Sequence, residues 1–181
     1  MTDAADARLI VITGIMASGK STVAERLANE LPACVHLKGD VFRRMIVNGR
    51  EDMTRNPSPV AIAQLKLRYH IAANVAREYL AAGFSVVHQD IILGGMLADV
   101  AADYQRENLH VVVLCPDVET VTLREAGREK KGYRDTFSVA NLDEVLRTQT
   151  PRVGLWLDTS TLSVGESVER ILTGLDDARI A

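Results

Sequence analysis

Residues 14–21, which read GIMASGKS, constrain the fold more than any other part of the sequence. They follow a short apolar run at residues 9–13 and open a segment of helical character at residues 21–31. Glycines let backbone N–H groups turn inward onto an anion, and the start of the next helix adds partial positive charge at the same point. The strand, loop and helix in this order predict a phosphate-binding loop.

The side chains of this loop predict a nucleoside triphosphate as its ligand. Lys20 is expected to reach the β- and γ-phosphates, and the Ser21 hydroxyl is placed to bind a Mg²⁺ ion that bridges them. The alternative is a glycine-rich turn that only joins a strand to a helix. The residues expected to contact the nucleotide here are Gly14, Ala17, Ser18, Gly19, Lys20, Ser21 and Thr22.

Four more apolar runs, at residues 34–37, 84–88, 109–115 and 153–157, have the length and composition of buried strands. Segments with helical periodicity lie between them. Ser58 with Pro59 predicts one helix start, and the capping-box spacing of Ser163 and Glu166 predicts another. Strands that alternate with helices predict an α/β fold, a parallel sheet with helices on both faces.

Composition predicts one domain over residues 1–181, since 47% of the residues are hydrophobic and 25% are charged. The formal net charge of -3 disfavours a dedicated nucleic-acid or membrane-surface binder. The sequence lacks both an apolar run of about 20 residues and a basic, then apolar, leader. We therefore predict a cytoplasmic protein that binds neither nucleic acid nor membrane, with its oligomeric state left open.

Asp40 closes the second strand segment, so its carboxylate is expected at the carboxyl edge of the sheet, beside the phosphate loop. An alcohol needs a positioned base to take its proton, whereas an anionic acceptor phosphate does not. Asp40 therefore favours phosphoryl transfer to a hydroxyl group. The alternative is that Asp40 caps the helix that starts at Val41.

Asp90 ends the third strand segment and is expected at the same edge. Its carboxylate is placed to hold Mg²⁺ through a water molecule, as a Walker B acid does. The alternative is an aspartate that forms a turn after the strand.

Two further groups of basic residues bear on the chemistry. Residues 124–136 form a charged, glycine-bracketed segment that is predicted to close over the nucleotide as a lid, with a solvated charged surface as the alternative. Its cations are Arg124, Arg128, Lys130, Lys131 and Arg134. The second group lies in the expected acceptor-binding segment, residues 41–82, and either holds an anionic acceptor or coats the outside of helices. It comprises Arg43, Arg44, Arg50, Arg55 and Arg68.

Together these residues resemble the chloramphenicol phosphotransferase family of small P-loop kinases, which is similar in fold to adenylate, shikimate and gluconate kinases. The resemblance covers most of the chain. It rests on the Walker A loop, on Asp40, on an arginine-bearing lid after the fourth strand, and on Asp90 followed by an apolar stretch and the paired glycines Gly94 and Gly95. It implies a five-stranded sheet in the order 2-3-1-4-5, ATP with Mg²⁺ as cofactor, and Asp40 as catalytic base.

The polar stretch before Pro59 and the segment 154–160 depart from the pattern of the chloramphenicol enzyme, so the resemblance implies the reaction and not the antibiotic. We predict an ATP-dependent kinase for a hydroxyl of an antibiotic-like or metabolic small molecule. Lys20, Asp40, Arg128 and Arg134 are the predicted catalytic residues, and Arg124 and Arg128 are predicted to contact ATP. The alternatives are a nucleotide or sugar-acid kinase and a regulatory ATP-binding module.

Overall fold

The computed structural model describes residues 7–104, 107–127 and 137–180. Five strands form one parallel sheet in the order β2-β3-β1-β4-β5, which confirms both the predicted α/β class and the strand order. The strands are β1 (Leu9–Gly14), β2 (Cys34–Lys38), β3 (Ser85–Gln89), β4 (Leu109–Leu114) and β5 (Leu155–Leu157).

Eight α-helices connect or follow the described strands. They are α1 (Lys20–Glu30), α2 (Asp40–Met45), α3 (Pro59–Ala81), α4 (Met96–Asp103), α5 (Val118–Ala126), α6 (Val139–Glu144), α7 (Val164–Thr173) and α8 (Leu175–Ala178). A π-helical turn, Val145–Gln149, continues α6. Both predicted helix starts are confirmed, since Ser58 accepts a hydrogen bond from the Ala61 amide and Ser163 forms a full capping box with Glu166.

Alternate residues of each central strand supply the two cores that lie on opposite faces of the sheet. Leu9 and Val11 point into the core covered by α3 and α4, whereas Ile10 and Ile12 point into the core covered by α1 and α7. Strands buried on both faces are the expected consequence of helices packed on both sides. This arrangement brings the carboxyl ends of all five parallel strands to one edge of the sheet.

The apolar side chains of helix α3 are buried mainly from Tyr69 onward and less completely in its N-terminal part. Tyr69, Ala76 and Leu80 are buried against the sheet. Ile62 and Leu65 are only half-buried, because this end of α3 extends beyond the sheet to face α2 and the connection between them.

The fifth strand is shorter than predicted. The apolar run begins at Val153, but the strand begins at Leu155. Gly154 has φ +67, which no extended strand contains, and a Cβ there would lie 2.2 Å from the Val111 carbonyl oxygen. None of the helices in the described parts of the chain combines the length and apolar character required to cross a bilayer.

Candidate active site

The phosphate loop joins β1 to α1, and two of its glycines are required by the backbone. Gly14 has φ +146, and a Cβ there would lie 2.4 Å from the Leu114 carbonyl oxygen of the neighbouring strand. Gly19 has φ +97 and is the N-cap of α1. Ala17 is also in the left-handed region, with φ 62. The loop is therefore wound tightly around the space in front of the helix N-terminus, where an anion is favoured.

Lys20 is the first residue of α1 and is buried, with 7% of its surface exposed. Its Nζ donates to the Ile15 carbonyl oxygen at 2.6 Å and lies 3.5 Å from Ser18 Oγ, so the ammonium group sits over the loop. Ser21 and Thr22 follow and are exposed. The loop thus holds a cation, a helix N-terminus and hydroxyl groups together, which is the chemistry that a polyphosphate requires.

Asp90 lies directly after β3, and β3 separates β1 from β2 in the sheet. The Asp90 carboxylate is only 4% exposed. Its Oδ1 accepts from the Ile91 amide at 2.7 Å and forms an ion pair with Arg68 Nη2 from α3. Burial raises the pKa of Asp90, while the charge of Arg68 opposes that rise. Asp90 therefore holds a buried charge pair with Arg68 at the end of β3.

The second carboxylate oxygen of Asp90, Oδ2, is buried and has no hydrogen-bond partner among the described residues. It lies against Gly39, since a Cβ on Gly39 would be only 2.0 Å away. Gly39 is thus the residue whose lack of a side chain lets the end of β2 approach Asp90. Sequence reasoning did not identify this role, because nothing local to Gly39 signals it.

Asp40 follows Gly39 and is the first residue of α2. Gly39 is the N-cap of that helix, and the Asp40 carboxylate accepts from Arg43 Nε at 3.0 Å and lies 3.1 Å from Arg44 Nε. The carboxylate therefore pairs with two arginines of its own helix instead of capping the backbone. It remains 39% exposed, so a ligand at the sheet edge has access to it.

Most arginines of the predicted acceptor-binding segment are paired with acids. Arg43 reaches both Asp40 and Asp52, and Arg50 Nε lies 3.9 Å from Asp52 Oδ1. Arg68 holds Asp90, as described above. These three arginines are therefore paired with carboxylates of the same protein.

The connection between α2 and α3 is tied to both helices by hydrogen bonds and an ion pair. Gln64 of α3 donates to the Gly49 carbonyl oxygen at 2.7 Å and accepts from the Glu51 amide at 2.9 Å. Ser58 donates to Glu51, and Arg43 binds Asp52. The polar composition of the connection supplies these hydrogen bonds.

Arg124 lies in the last turn of α5, within residues 124–127 of the predicted lid that the structure describes. Its Nη2 donates to the Thr159 carbonyl oxygen at 2.8 Å and its Nη1 to the Ser18 carbonyl oxygen at 3.3 Å. It therefore links the phosphate loop to the segment after β5. Arg128, Lys130, Lys131 and Arg134, the other cations of the predicted lid, lie outside the described residues.

Gly94, the first of the paired glycines after Asp90, has a structural explanation. Gly94 has φ +59, and its amide donates to Thr150 Oγ1 at 2.8 Å, next to the π-helical turn. Thr13 Oγ1 also bonds both the amide and the carbonyl of Ile92. The loop after β3 is therefore anchored on both sides of its turn.

Arg147 makes contacts that the sequence did not predict. Its Nε lies 2.9 Å from both carboxylate oxygens of Asp143, and its Nη2 donates to the Pro116 carbonyl oxygen at 3.0 Å and to that of Cys115 at 3.4 Å. An acid and a base four residues apart normally indicate an exposed helix pair. Here the pair fixes the π-helical turn to the carboxyl end of β4.

The donor atoms at the phosphate loop fit a Mg²⁺ ion that binds together with phosphates. Mg²⁺ takes oxygen ligands, usually one or two from the protein with phosphates and water completing the shell. Ser21 offers an exposed hydroxyl and Asp90 offers the unpartnered Oδ2. In the described part of the chain, no group of three or more His, Cys, Asp or Glu side chains is close enough to hold a metal by itself.

Comparison with solved structures shows the same fold in two kinases and in an antibiotic resistance protein. A sugar kinase from Janibacter sp. HTCC2649 has a TM-score of 0.71 and 21% identity, covering 95% of this chain and 96% of its own. The tunicamycin resistance protein of Deinococcus radiodurans has a TM-score of 0.67 and 15% identity, covering 97% and 99%. A gluconokinase from Sinorhizobium meliloti 1021 has a TM-score of 0.59 and 20% identity, covering 92% and 90%.

These neighbours agree with the resemblance to small P-loop kinases that the sequence suggested, and at this identity the likeness concerns the fold. No curated protein matches the chain. A family model described as an AAA domain matches residues 9–152, from the first residue of β1 to beyond the π-helical turn. The match covers most of the chain, which therefore belongs to this AAA domain family.

Proposed function

We propose that this protein transfers the γ-phosphoryl group of ATP to a hydroxyl group of a small molecule. The observation that carries the proposal is the position of Asp40. Its partly exposed carboxylate lies at the same sheet edge as the phosphate loop. Asp90, at the end of the intervening strand β3, packs against Gly39, the residue before Asp40. A phosphate site that faces a positioned carboxylate suits transfer to an alcohol.

In the proposed reaction the acceptor hydroxyl oxygen attacks the γ-phosphorus of ATP, and Asp40 accepts the hydroxyl proton. The bond between the γ-phosphorus and the β–γ bridging oxygen breaks, and ADP leaves. Arg43 and Arg44 hold the carboxylate in place through its two oxygens. Lys20 and the start of α1 offset negative charge on the phosphates. Ser21 and Asp90 would hold Mg²⁺, which offsets further charge when it is bound.

Arg124 has a separate proposed role at the nucleotide. Because it bridges Ser18 and Thr159, it lies where the phosphate loop meets the segment after β5. We assign it to ATP contact there. Arg128 and Arg134 complete the proposed set as cations that approach the transferring phosphoryl group.

The direct test offers ATP and Mg²⁺ with pooled hydroxyl compounds and looks for products heavier by about 80 Da, the mass of one phosphoryl group. Lys20→Ala should abolish turnover. Asp40→Asn should keep ATP binding in isothermal titration but lose about 10²-fold or more in transfer rate. Asp176→Asn, an exposed acid on α8, is the matched control and should behave as wild type.

Two results would contradict this proposal. Normal turnover by Asp40→Asn would remove Asp40 as the base. ATP binding without a phosphorylated product from any hydroxyl compound would instead favour a regulatory ATP-binding module.

A further inference from the structure

The buried ion pair between Arg68 and Asp90 bears on how a metal ion binds at the phosphate loop. The Arg68 side chain comes from α3 and is 10% exposed, and Asp90 is 4% exposed. Resting on the proposed function, we propose that Arg68 is a positioning residue for the Mg²⁺ site. It fixes the Asp90 carboxylate with Oδ2 as the oxygen left for the metal, and it offsets the carboxylate charge, so that a divalent cation binds at Asp90 only together with a nucleotide.

Three contacts set the orientation of the Asp90 carboxylate. Its Oδ1 accepts from the Ile91 amide at 2.7 Å and from Nη2 of Arg68. Its Oδ2 faces Gly39, where a Cβ would be 2.0 Å away, and has no hydrogen-bond partner among the described residues. A buried oxygen without a partner is costly, and an ion or an ordered water at that atom removes the cost. Oδ2 is therefore the carboxylate oxygen that gains from a ligand.

Asp90 lies on the face of the sheet that α3 and α4 cover. Val86 and His88, four and two residues earlier, point to this face, the first into its core and the second onto Tyr104 after α4. Side chains alternate along a strand, so Asp90 continues this series. Arg68 thus approaches the carboxylate from the face opposite α1, whereas the phosphate loop lies at the start of α1. Pairing with Arg68 is compatible with a ligand that the loop holds.

The acids described at this edge of the sheet are matched by cations. Asp40, after β2, is paired with two arginines of its own helix, and Asp90, after β3, is paired with Arg68. The Lys20 ammonium also acts electrostatically on Asp90. Affinity of an oxygen site for a divalent cation rises with the negative charge of its ligands. The phosphates of a nucleotide supply that charge, so we expect the cation to bind with them and not before them.

Mn²⁺ titrations followed by electron paramagnetic resonance test this charge effect without turnover. Wild type should bind Mn²⁺ weakly alone and more tightly with ADP present. Arg68→Met should bind Mn²⁺ without nucleotide about tenfold or more tightly than wild type, because the Asp90 charge is then unmatched. A residue with a structural role only would give no such gain when replaced. Arg68→Lys keeps the charge and should stay near wild type. Equal affinity of wild type and Arg68→Met, or an equal gain in Arg68→Lys, would overturn the proposal.

Variants of Asp90 show where the ion binds, and they decide the matter if Arg68→Met, with its unpaired buried carboxylate, fails to fold. Arg68→Met/Asp90→Asn removes both charges and should lose the added Mn²⁺ affinity. Asp90→Asn alone keeps the side-chain shape and leaves the Arg68 charge unmatched. In isothermal titration it should bind metal-free ADP about threefold or more tightly than wild type, and Mg²⁺ should then improve ADP binding less. An unchanged Mg²⁺ effect, or no gain in metal-free ADP affinity, would overturn the proposal.

These binding measurements separate the role of Arg68 from the proposed function. If Mn²⁺ and ADP behave as expected but no hydroxyl compound is phosphorylated, the proposed function fails and the role of Arg68 stands. If a hydroxyl compound is phosphorylated but Mn²⁺ affinity is the same with and without the Arg68 charge, the proposed function stands and the role of Arg68 is refuted.

Discussion

Replacing Gly39 by alanine should destabilise the protein through one identified contact. Gly39 has φ -60 and ψ -32, an ordinary helical conformation in which alanine is normally favoured over glycine. The added Cβ would however lie 2.0 Å from Asp90 Oδ2 and 2.6 Å from Asp90 Cγ. Asp90 would have to move away, and Arg68 would then lose its partner.

Two contributions set the size of the effect. Inserting a methyl group into a packed site costs about 1–3 kcal/mol, and breaking a buried ion pair costs about 3–5 kcal/mol. Without the clash, Gly→Ala at a compatible position stabilises by about 0.4–1 kcal/mol, because the unfolded chain loses freedom. We therefore expect Gly39→Ala to lower the free energy of unfolding by about 2 kcal/mol or more.

A double-mutant cycle in urea isolates this contact. In an Asp90→Ala background the carboxylate is gone and only the Cβ of residue 90 remains, 3.2 Å from the added Cβ, so adding Gly39→Ala should cost much less than it does in wild type. The coupling free energy should then be about 2 kcal/mol. If Gly39→Ala alone is as stable as wild type, or costs the same in both backgrounds, the packing of Gly39 on Asp90 is refuted.

Three further predictions concern stability. Burial lowers the pKa of His88 to about 3, so between about pH 6.5 and pH 3 only the unfolded chain binds a proton at this residue. Between pH 7.5 and pH 5 the free energy of unfolding in urea should therefore fall by about 2 kcal/mol more for wild type than for His88→Gln. Equal decreases in the two proteins would refute this. Ser58→Ala removes the hydrogen bond from the Ala61 amide and should cost about 1 kcal/mol by the same measurement. Gly154→Ala would place a Cβ 2.2 Å from the Val111 carbonyl oxygen at φ +67 and should cost about 2 kcal/mol or more; an unchanged Tm would contradict it.

The features that could be predicted from the sequence are those that depend on residues close together in the chain. The phosphate loop is local, because its two required glycines and Lys20 lie within seven positions of one another. Ser58 and Ser163 are local in the same sense, since each caps the helix that follows it. The sheet order came from the family resemblance and is confirmed.

The contacts that could not be predicted join segments far apart in the chain. Arg68 meets Asp90 from 22 positions away, and Arg124 meets Ser18 from 106 away. Each arginine, taken alone, is equally typical of an anion site and of an exposed helix surface. Only the packing of α3 on the end of β3, and of α5 beside the phosphate loop, decides between them.

The small pocket between α2, α3 and the connection that joins them is built from one uninterrupted stretch of chain. Its walls run from Phe42 to Ile71, entirely within the connection between β2 and β3, whereas the phosphate loop and Arg124 come from other connections. If the proposed function is correct, a graft of that single connection from a relative should therefore change which acceptor is used while ATP affinity is retained. The transplanted segment must bring its own equivalents of Gly39 and Arg68, because these two residues join it to Asp90 on the recipient.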